Sequence, residues 1–231
     1  MNKYFEKILS IPKSFYACIK LLPLREAIKM PIMVHYNCKL LSLKGKISIQ
    51  QTGGGSSAVL RIGFGEVGII DKKYDRTIIE LLGEIVIKGR VNINHGSRLY
   101  IAKNAKLTFG KNFTNSAAMT ICCEKEIIFG ANVVVSWNTT LIDTDFHQTY
   151  NILTGERSNK FGSIIIGDNV WIGLGASILK NSIIPSGCII GANALVNKKY
   201  SEENCLIAGN PACIRKSNIS RVINDGLLSA N

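Results

Sequence analysis

The clearest pattern along the chain is a run of six-residue blocks between Ile166 and Val196. Each block begins with an aliphatic residue, and its fifth place is always small or β-branched. The leading residues are Ile166, Ile172, Ile178, Ile184, Ile190 and Val196, and the fifth-place residues are Val170, Ala176, Ser182, Cys188 and Ala194. A period of six fits neither a helical turn nor the two-residue alternation of one strand. It is typical of short strands joined by turns, and it predicts a parallel β-helix in which three blocks make one triangular coil.

The same spacing can be followed towards the N-terminus, interrupted by three shifts of two residues. The sets are Ile87, Ile93 and Leu99; Ile101 and Leu107; Phe109, Asn115 and Ile121; and Phe129, Val135 and Leu141. Because side chains alternate along a strand, a shift of two keeps the inner face inward, and we expect each shift to lengthen a corner. Asn115 is the polar exception, and the pattern leaves it as either a ladder amide or a site residue.

The rest of the chain is predicted to be an N-terminal arm, one protruding loop and a C-terminal cap. The arm is basic and amphipathic, and we expect its helix to break at Pro12, Pro23 and Pro31. A closing helix is predicted over 212–228 to cover the last coil. The predicted bounds are 1–33 for the arm, 34–208 for the β-helix domain, 144–163 for its protruding loop and 209–231 for the cap. The predicted fold class is therefore all-β, a single parallel β-helix with a helix at each end.

Composition and charge narrow the class of protein. The seven Cys are scattered and odd in number, and residues 1–20 do not resemble a secretory leader, so a reduced, cytoplasmic protein is expected. The net charge is +12, and residues 1–50 carry nine Lys or Arg against two Glu, which is +7 of that total. This basic region is either a solvated face or a peripheral contact with an anionic membrane surface. No nucleic-acid motif accompanies it, so no nucleic-acid partner is expected.

His147 is the candidate general base. It is one of three His and stands at the start of the predicted loop, in the run DTDFH. In an extended segment Asp143, Asp145 and His147 share a face, so a carboxylate could fix the tautomer of the imidazole. His35 and His95 are interpreted as structural or surface residues.

Four runs in order, WNTTLIDTDFH, IIIGDNVWIGLGASIL, IIGANALVNKK and IAGNPA, resemble the hexapeptide-repeat acyltransferases. Within that family they are similar to the sugar O-acetyltransferases, which include galactoside, maltose, capsule and O-antigen acetyltransferases. The match covers most of residues 80–216. The resemblance implies a left-handed coil, acetyl-CoA as co-substrate, no metal, and a homotrimer. Apolar residues outside the core ladder agree with a trimer contact; they are Ile165, Leu174, Ile183 and Ile189.

The resemblance also implies roles for individual residues. His147 deprotonates the acceptor hydroxyl, and Asp145 supports it. The candidates for acceptor and oxyanion contacts are Asn115, Ser116 and Asp143. The candidates for acetyl-CoA contacts are Trp171, Leu174, Ala192, Asn197, Lys198, Pro211, Arg215 and Lys216. The chain departs from the family pattern after GNPA, where Cys213 stands in place of Lys or Arg.

The function that the sequence favours is acetyl-CoA-dependent O-acetylation of a sugar or glycan precursor in cell-surface polysaccharide biosynthesis. One alternative is N-acetylation of an amino-sugar nucleotide or an antibiotic. Another is a non-catalytic β-helix scaffold, for which His147, Trp171 and Lys198 would not be needed together. A zinc hydrolase of this fold is disfavoured, because zinc needs about three clustered protein ligands and the three His are far apart.

Overall fold

A computed structural model describes residues 3–50, 59–65, 67–71 and 73–222. Two helices come first, followed by short strands. The helices are α1 (Lys3–Leu21) and α2 (Leu24–Ala27). The first eleven strands are β1 (Ile32–Val34), β2 (Lys39–Leu43), β3 (Lys46–Ile49), β4 (Leu60–Ile62), β5 (Ile78–Leu81), β6 (Glu84–Ile87), β7 (Val91–Ile93), β8 (Arg98–Ile101), β9 (Lys106–Phe109), β10 (Phe113–Asn115) and β11 (Thr120–Cys123). The others are β12 (Glu126–Phe129), β13 (Val134–Val135), β14 (Thr140–Ile142), β15 (Ile164–Ile166), β16 (Trp171–Ile172), β17 (Ser177–Leu179), β18 (Ile183–Ile184), β19 (Ile189–Ile190), β20 (Leu195–Val196), β21 (Leu206–Gly209) and β22 (Ala212–Lys216).

The strands form three sheets, one on each face of a triangular coil. Sheet A has the order β1-β4-β7-β10-β13-β16-β19-β21-β22, sheet B has β2-β5-β8-β11-β14-β17-β20, and sheet C has β18-β15-β12-β9-β6-β3. Successive strands from β1 to β18 fall in A, B and C in turn, which makes six complete coils. Neighbouring strands are parallel except β21 and β22, which are antiparallel. The predicted parallel β-helix is therefore confirmed.

The core is the column of residues that point into the coil. Every leading and fifth-place residue predicted between Ile166 and Val196 is buried. The earlier sets from Ile87 to Leu141 are buried as well, including Asn115. Three aromatic rings fill the wider middle of the column, with centroids 4.5 Å apart for Phe109 and Phe113 and 5.3 Å for Phe109 and Phe129. The six-residue pattern thus records which side chains the coil buries.

The two-residue shifts lengthen strands, and the prediction that they lengthen corners was wrong. β8 has four residues, and its Leu99 and Ile101 are both buried. β11 repeats this arrangement directly below, with Ile121 paired to Leu99 and Cys123 paired to Ile101. An extra inward and an extra outward residue extend the pleat without changing which side faces the core. The middle coils are therefore wider than the later ones.

Several corners turn through asparagines in the left-handed backbone region. Asn112, Asn132 and Asn169 stack at the corner between sheets C and A with φ of 57°, 56° and 57°. Asparagine tolerates this conformation better than most residues. The Nδ2 group of Asn112 donates to Oδ1 of Asn132, and Asn132 donates in the same way to Asn169, both at 3.0 Å. The turns are thus joined by an amide ladder along one edge.

The N-terminal arm is helical, but α1 continues through Pro12, contrary to the predicted break there. Proline removes one backbone donor, and Pro12 lies on the exposed side of the helix, where water can replace that bond. The chain does leave the helix near Pro23, which is the N-cap of α2. On the inner side, the hydroxyl oxygens of Ser14 and Ser10 accept hydrogen bonds from the backbone N–H groups of Val34 and Tyr36, at 2.9 and 3.0 Å.

At the other end, the predicted helix over 212–228 is wrong as far as the structure describes it. Residues 212–216 form β22, which folds back on β21, and 217–222 have no helical turn. Residues 223–231 lie outside the described chain. The reason is tertiary: β21 is the last parallel strand of sheet A, and pairing its backbone with β22 satisfies groups that a helix would leave open. None of the helices in the described ranges is long and apolar enough to cross a bilayer.

Candidate active site

The predicted loop leaves the coil between β14 and β15, at the corner between sheets B and C, and folds as a hairpin. Its two arms pair at Thr144 with Phe161 and at Tyr150 with Arg157, both antiparallel. Near the tip, the Asn151 N–H donates to the Glu156 carbonyl at 2.8 Å. We call residues 144–161 the hairpin. It is a small element with its own backbone hydrogen bonds, and it projects from the coil.

Asp143 fixes the start of the hairpin to the coil above. Its side chain is buried, and the carboxylate accepts hydrogen bonds from the backbone N–H groups of Glu124, Lys125 and Glu126 at 2.7, 2.9 and 2.7 Å. Burial, reinforced by this carboxylate, raises the pKa of the neighbouring Cys123 thiol. The oxygens of Asp143 are thus engaged in holding a corner. This placement does not agree with the predicted contact to an acceptor.

His147 lies four residues further on, with its side chain exposed at the base of the hairpin. Its backbone N–H donates to the Asp145 carbonyl at 2.6 Å. Between them Phe146 has a φ of 58°, so the segment turns and is not extended as the shared-face argument assumed. The Asp145 carboxylate instead forms an ion pair with Lys180, with 2.5 Å between Oδ2 and Nζ. Asp145 therefore supports the hairpin through Lys180 and not through the imidazole of His147.

Lys180 joins the hairpin to the next coil, and the sequence analysis missed it. Its Nζ also donates to the Asn159 carbonyl on the returning arm at 2.6 Å. One coil later, the register of β17 with β20 places Lys198 at the same corner, because Ser177 pairs with Leu195. Lys180 and Lys198 are thus separated by three six-residue blocks, which make one complete coil. Counting whole coils from Lys198 would have found Lys180 in the sequence.

Trp171 lies on β16 in sheet A, and its side chain is 40% exposed. The indole Nε1–H donates to the hydroxyl of Ser136 at 3.2 Å. Ser136 is a second residue that the sequence analysis missed. Ser116 follows β10 one coil above Ser136 and is partly exposed. The two serines thus lie just after strands of sheet A, at its corner with sheet B, and Ser136 is buried while Ser116 is partly exposed.

The other predicted acetyl-CoA residues divide between two edges. Leu174 and Ala192 stack at the corner between sheets A and B, and Pro211 follows β21 on the same side. Arg215 and Lys216 are exposed on β22, and the Arg215 Nε–H donates to the Ala208 carbonyl at 3.1 Å. Asn197 and Lys198 follow β20, at the corner of the hairpin, and are also exposed.

The predicted residues therefore form two groups in one copy of the chain. His147, Asp145 and Lys198 belong to the corner between sheets B and C, whereas Trp171 and Leu174 belong to sheet A and its far corner. Sheet C strand β15 separates the hairpin from β16 in the chain. His147 therefore does not lie beside the Trp171 strand, since β14 stacks on β17, and β16 stacks on β13 and β19.

Asn115 is a ladder amide and not an exposed oxyanion donor. Its side chain is fully buried, its Oδ1 accepts from the Asn94 N–H at 2.8 Å, and its Nδ2 donates to the Ser97 hydroxyl at 3.0 Å. The structural alternative left open by the pattern is therefore the one observed. His35 and His95 are also buried. Within the described ranges, no group of three or more His, Cys, Asp or Glu is arranged to hold a metal ion.

No family model matches the chain, but comparison with individual proteins gives clear relatives. An uncharacterised 24.8 kDa protein in a cps region of Klebsiella pneumoniae is 36% identical over 60% of this chain and 60% of its own length. Galactoside O-acetyltransferase of Escherichia coli K12 is 30% identical over 55% of this chain and 59% of the relative. A putative acetyltransferase of Saccharomyces cerevisiae, YJL218W, is 30% identical over 63% of this chain and 72% of the relative. The chain thus spans about three fifths of the first two.

Among solved structures, the polysialic-acid-specific acetyltransferase NeuO superposes with a TM-score of 0.63 over 84% of this chain and 80% of that protein, at 24% identity. This likeness supports the fold, and the sequence relatives support the family. The six-residue blocks, the three parallel sheets and the hairpin that interrupts them agree with both. The chain belongs to the hexapeptide-repeat acyltransferase family, among the relatives of the sugar O-acetyltransferases.

Proposed function

We propose that this protein is an acetyl-CoA-dependent O-acetyltransferase of a sugar or glycan precursor in cell-surface polysaccharide biosynthesis, with His147 as general base. The observation that carries the proposal is the exposed imidazole of His147 at the base of the hairpin. The hairpin projects from the coils of a chain that is related to a sugar O-acetyltransferase. The names of relatives indicate the acceptor class, since polysialic acid O-acetyltransferases of two bacteria are among them. The left-handed winding follows from the same family membership.

In the proposed reaction, His147 accepts the proton of the acceptor hydroxyl while the hydroxyl oxygen attacks the thioester carbonyl. A new C–O bond forms, the C–S bond breaks, and His147 returns the proton to the departing thiolate. A positioned base of this kind accelerates a reaction by roughly 10²–10⁴-fold. Histidine suits both steps near neutral pH, since its unperturbed pKa lies close to it. Ser116 directly follows sheet A strand β10 and is partly exposed, and its hydroxyl is the candidate to stabilise the oxyanion.

Acetyl-CoA is proposed to lie along sheet A and its corner with sheet B. Trp171 offers a flat apolar surface there, 40% exposed, and Leu174 and Ala192 continue that surface. Arg215 and Lys216 supply positive charge at the far end, which suits the phosphates of the nucleotide part. Asn197 and Lys198 lie at the other edge and meet the same ligand only if a second copy contributes them.

We propose a homotrimer with the active site between copies. His147 and Trp171 lie on different edges of one copy, so a site that uses both requires the hairpin of one copy to face sheet A of the next. The hairpin tip agrees with such a contact, because Ile152 and Leu153 are 87% and 95% exposed and would be covered by it. A contact between unlike surfaces that closes into a ring is a common route to cyclic oligomers.

Two measurements test the proposal. The purified protein is incubated with acetyl-CoA and polysialic acid, a galactoside or maltose, and mass spectrometry identifies any acetylated hydroxyl. In parallel, acetyl-CoA is titrated while the melting temperature is followed, because a ligand of the native state raises it. A rise without transfer to any sugar retains acetyl-CoA binding but rejects these acceptors. If the melting temperature does not rise and no sugar is acetylated, the result favours the scaffold alternative. Light scattering at micromolar concentration checks the trimer.

A further inference from the structure

The outer face of α1 is apolar along its whole length. Eight large side chains are exposed on it: Tyr4, Phe5, Ile8, Leu9, Ile11, Phe15, Tyr16 and Ile19. At 3.6 residues per turn, these positions fall within roughly one half of the helix circumference. A contiguous exposed apolar surface of this size marks a place where another surface binds.

Apart from Leu21, the inner face of α1 is polar or small, unlike that of an ordinary covering helix. Its buried residues are Glu6, Ser10, Ser14, Ala17, Cys18 and Leu21. Ser10 and Ser14 bind the backbone of the first coil, as described above, and the Lys13 ammonium donates to the Cys38 carbonyl at 2.6 Å. The helix cannot rotate its apolar side inward without breaking these bonds. The orientation therefore presents the apolar face away from the coil.

Positive charge borders this face on both sides. Lys7 and Lys20 are exposed next to it, and the Lys20 ammonium lies 6.0 Å from the centre of the Tyr16 ring. A groove of about 600 Å³ runs between α1 and the first coil, where Lys39 and Arg76 line it together with apolar side chains of the helix. Long basic side chains beside an apolar face can extend towards lipid phosphates while their stems stay in the apolar layer.

We propose that α1 is an interfacial helix that seats this end of the β-helix on an anionic membrane surface. The apolar face enters the boundary between headgroups and acyl chains, and the basic border contacts lipid phosphates. The helix lies in the plane of the membrane and does not cross it. A second copy of this chain suits the face less well, because it would bring two basic borders together. The inference is independent of the proposed acetyl transfer.

The test is flotation of the full-length protein with vesicles that mix phosphatidylglycerol and phosphatidylcholine, compared with phosphatidylcholine alone. We expect binding to the mixed vesicles that weakens at high salt. The variant Ile8→Gln/Phe15→Gln/Ile19→Gln should lower partitioning at least about tenfold, because each change removes apolar area from the membrane layer. Lys7→Gln/Lys20→Gln should lower it about fivefold per lysine on mixed vesicles only.

The control is Val222→Gln, which changes an exposed apolar residue outside both α1 and the hairpin and should leave partitioning unchanged. The proposal is overturned if the wild-type protein does not bind mixed vesicles at low salt, or if the triple glutamine variant binds as well as wild type. It is also overturned if light scattering shows that the triple variant loses an oligomer, because the face would then contact another copy. Binding lost in both α1 variants, at wild-type melting temperature and oligomeric state, supports it.

Discussion

The coils over 166–196 and the hairpin over 144–161 differ in what their side chains do. In the coils every leading residue is buried, and each strand pairs with at least one parallel strand of a neighbouring coil. In the hairpin the side chains from Asp145 to Tyr150 are exposed, and the backbone pairs mainly within the element. Asp143 and His147 mark the boundary, since they are four residues apart and one is fully buried while the other is exposed. Under the proposed function, stability and chemistry would thus fall to adjacent parts of one segment.

The largest expected effect is on turnover by His147→Ala. If the hairpin carries the chemistry, turnover falls by about 10²–10⁴-fold, because the hydroxyl loses its base. The melting temperature should stay within a few degrees of wild type, because the exposed imidazole contributes little packing. The control Gln148→Ala changes the next exposed residue and should retain activity. Wild-type turnover in a folded His147→Ala enzyme would reject the assignment, and a large loss of stability would make His147 structural.

The next effect compares the same kind of truncation in the two regions. Ile178→Ala removes a fully buried ladder residue and should lower the free energy of unfolding by about 2–5 kcal/mol, through lost burial and a cavity. Ile152→Ala at the hairpin tip should change the free energy of unfolding of a single, unassociated chain by less than about 0.5 kcal/mol. Urea denaturation of both variants measures the difference. Equal losses would mean that the tip is packed in the native assembly, which would support the trimer.

A smaller difference in stability is expected between the same substitution, Asp→Asn, at Asp143 and at Asp145. The Asp143 carboxylate accepts hydrogen bonds from three backbone N–H groups. In Asp143→Asn, one of these N–H groups would face an amide N–H, which cannot accept, so the free energy of unfolding should fall by about 1–3 kcal/mol. Asp145→Asn affects only a partly exposed ion pair and should cost well under that. Turnover of Asp145→Asn should fall less than that of His147→Ala. If Asp143→Asn proves as stable as Asp145→Asn, the carboxylate does not hold the corner as described.

The smallest expected effect is that of Lys180→Gln. The change removes both contacts of the ammonium with the hairpin, so hydrogen exchange at the Asp145 N–H should become faster, while the coils over 166–196 keep their protection. The stability change should stay below about 1 kcal/mol, as for other ion pairs near the surface. Lys198→Gln, one coil away, is the control and should leave exchange in the hairpin unaltered. Equal exchange in both variants would show that Lys180 does not hold the hairpin.

The sequence predicted the regular coils well because each six-residue block reports its own burial. It did not predict that the two-residue shifts lengthen strands β8 and β11, because a lengthened strand and a lengthened corner give the same spacing of apolar residues. The strand at Ala212–Lys216 was mistaken for helix, since pairing with β21 decides its conformation. Lys180 and Ser136 were missed because their importance depends on which coils stack. His147 was put forward as the base from its place at the start of the loop and from the family resemblance, while its separation from Trp171 depends on three-dimensional winding.

The antiparallel direction of β22 has a consequence for self-association. A β-helix that ended on β21 would present an open parallel strand, and the first strand of another molecule could add to it and begin a filament. β22 occupies that position on sheet A and reverses the chain direction, so the next molecule would meet a strand of the wrong polarity. Ser10 and Ser14 bind the first coil at the other end. A few residues at each end thus occupy the positions at which sheet A could otherwise extend from one molecule into the next.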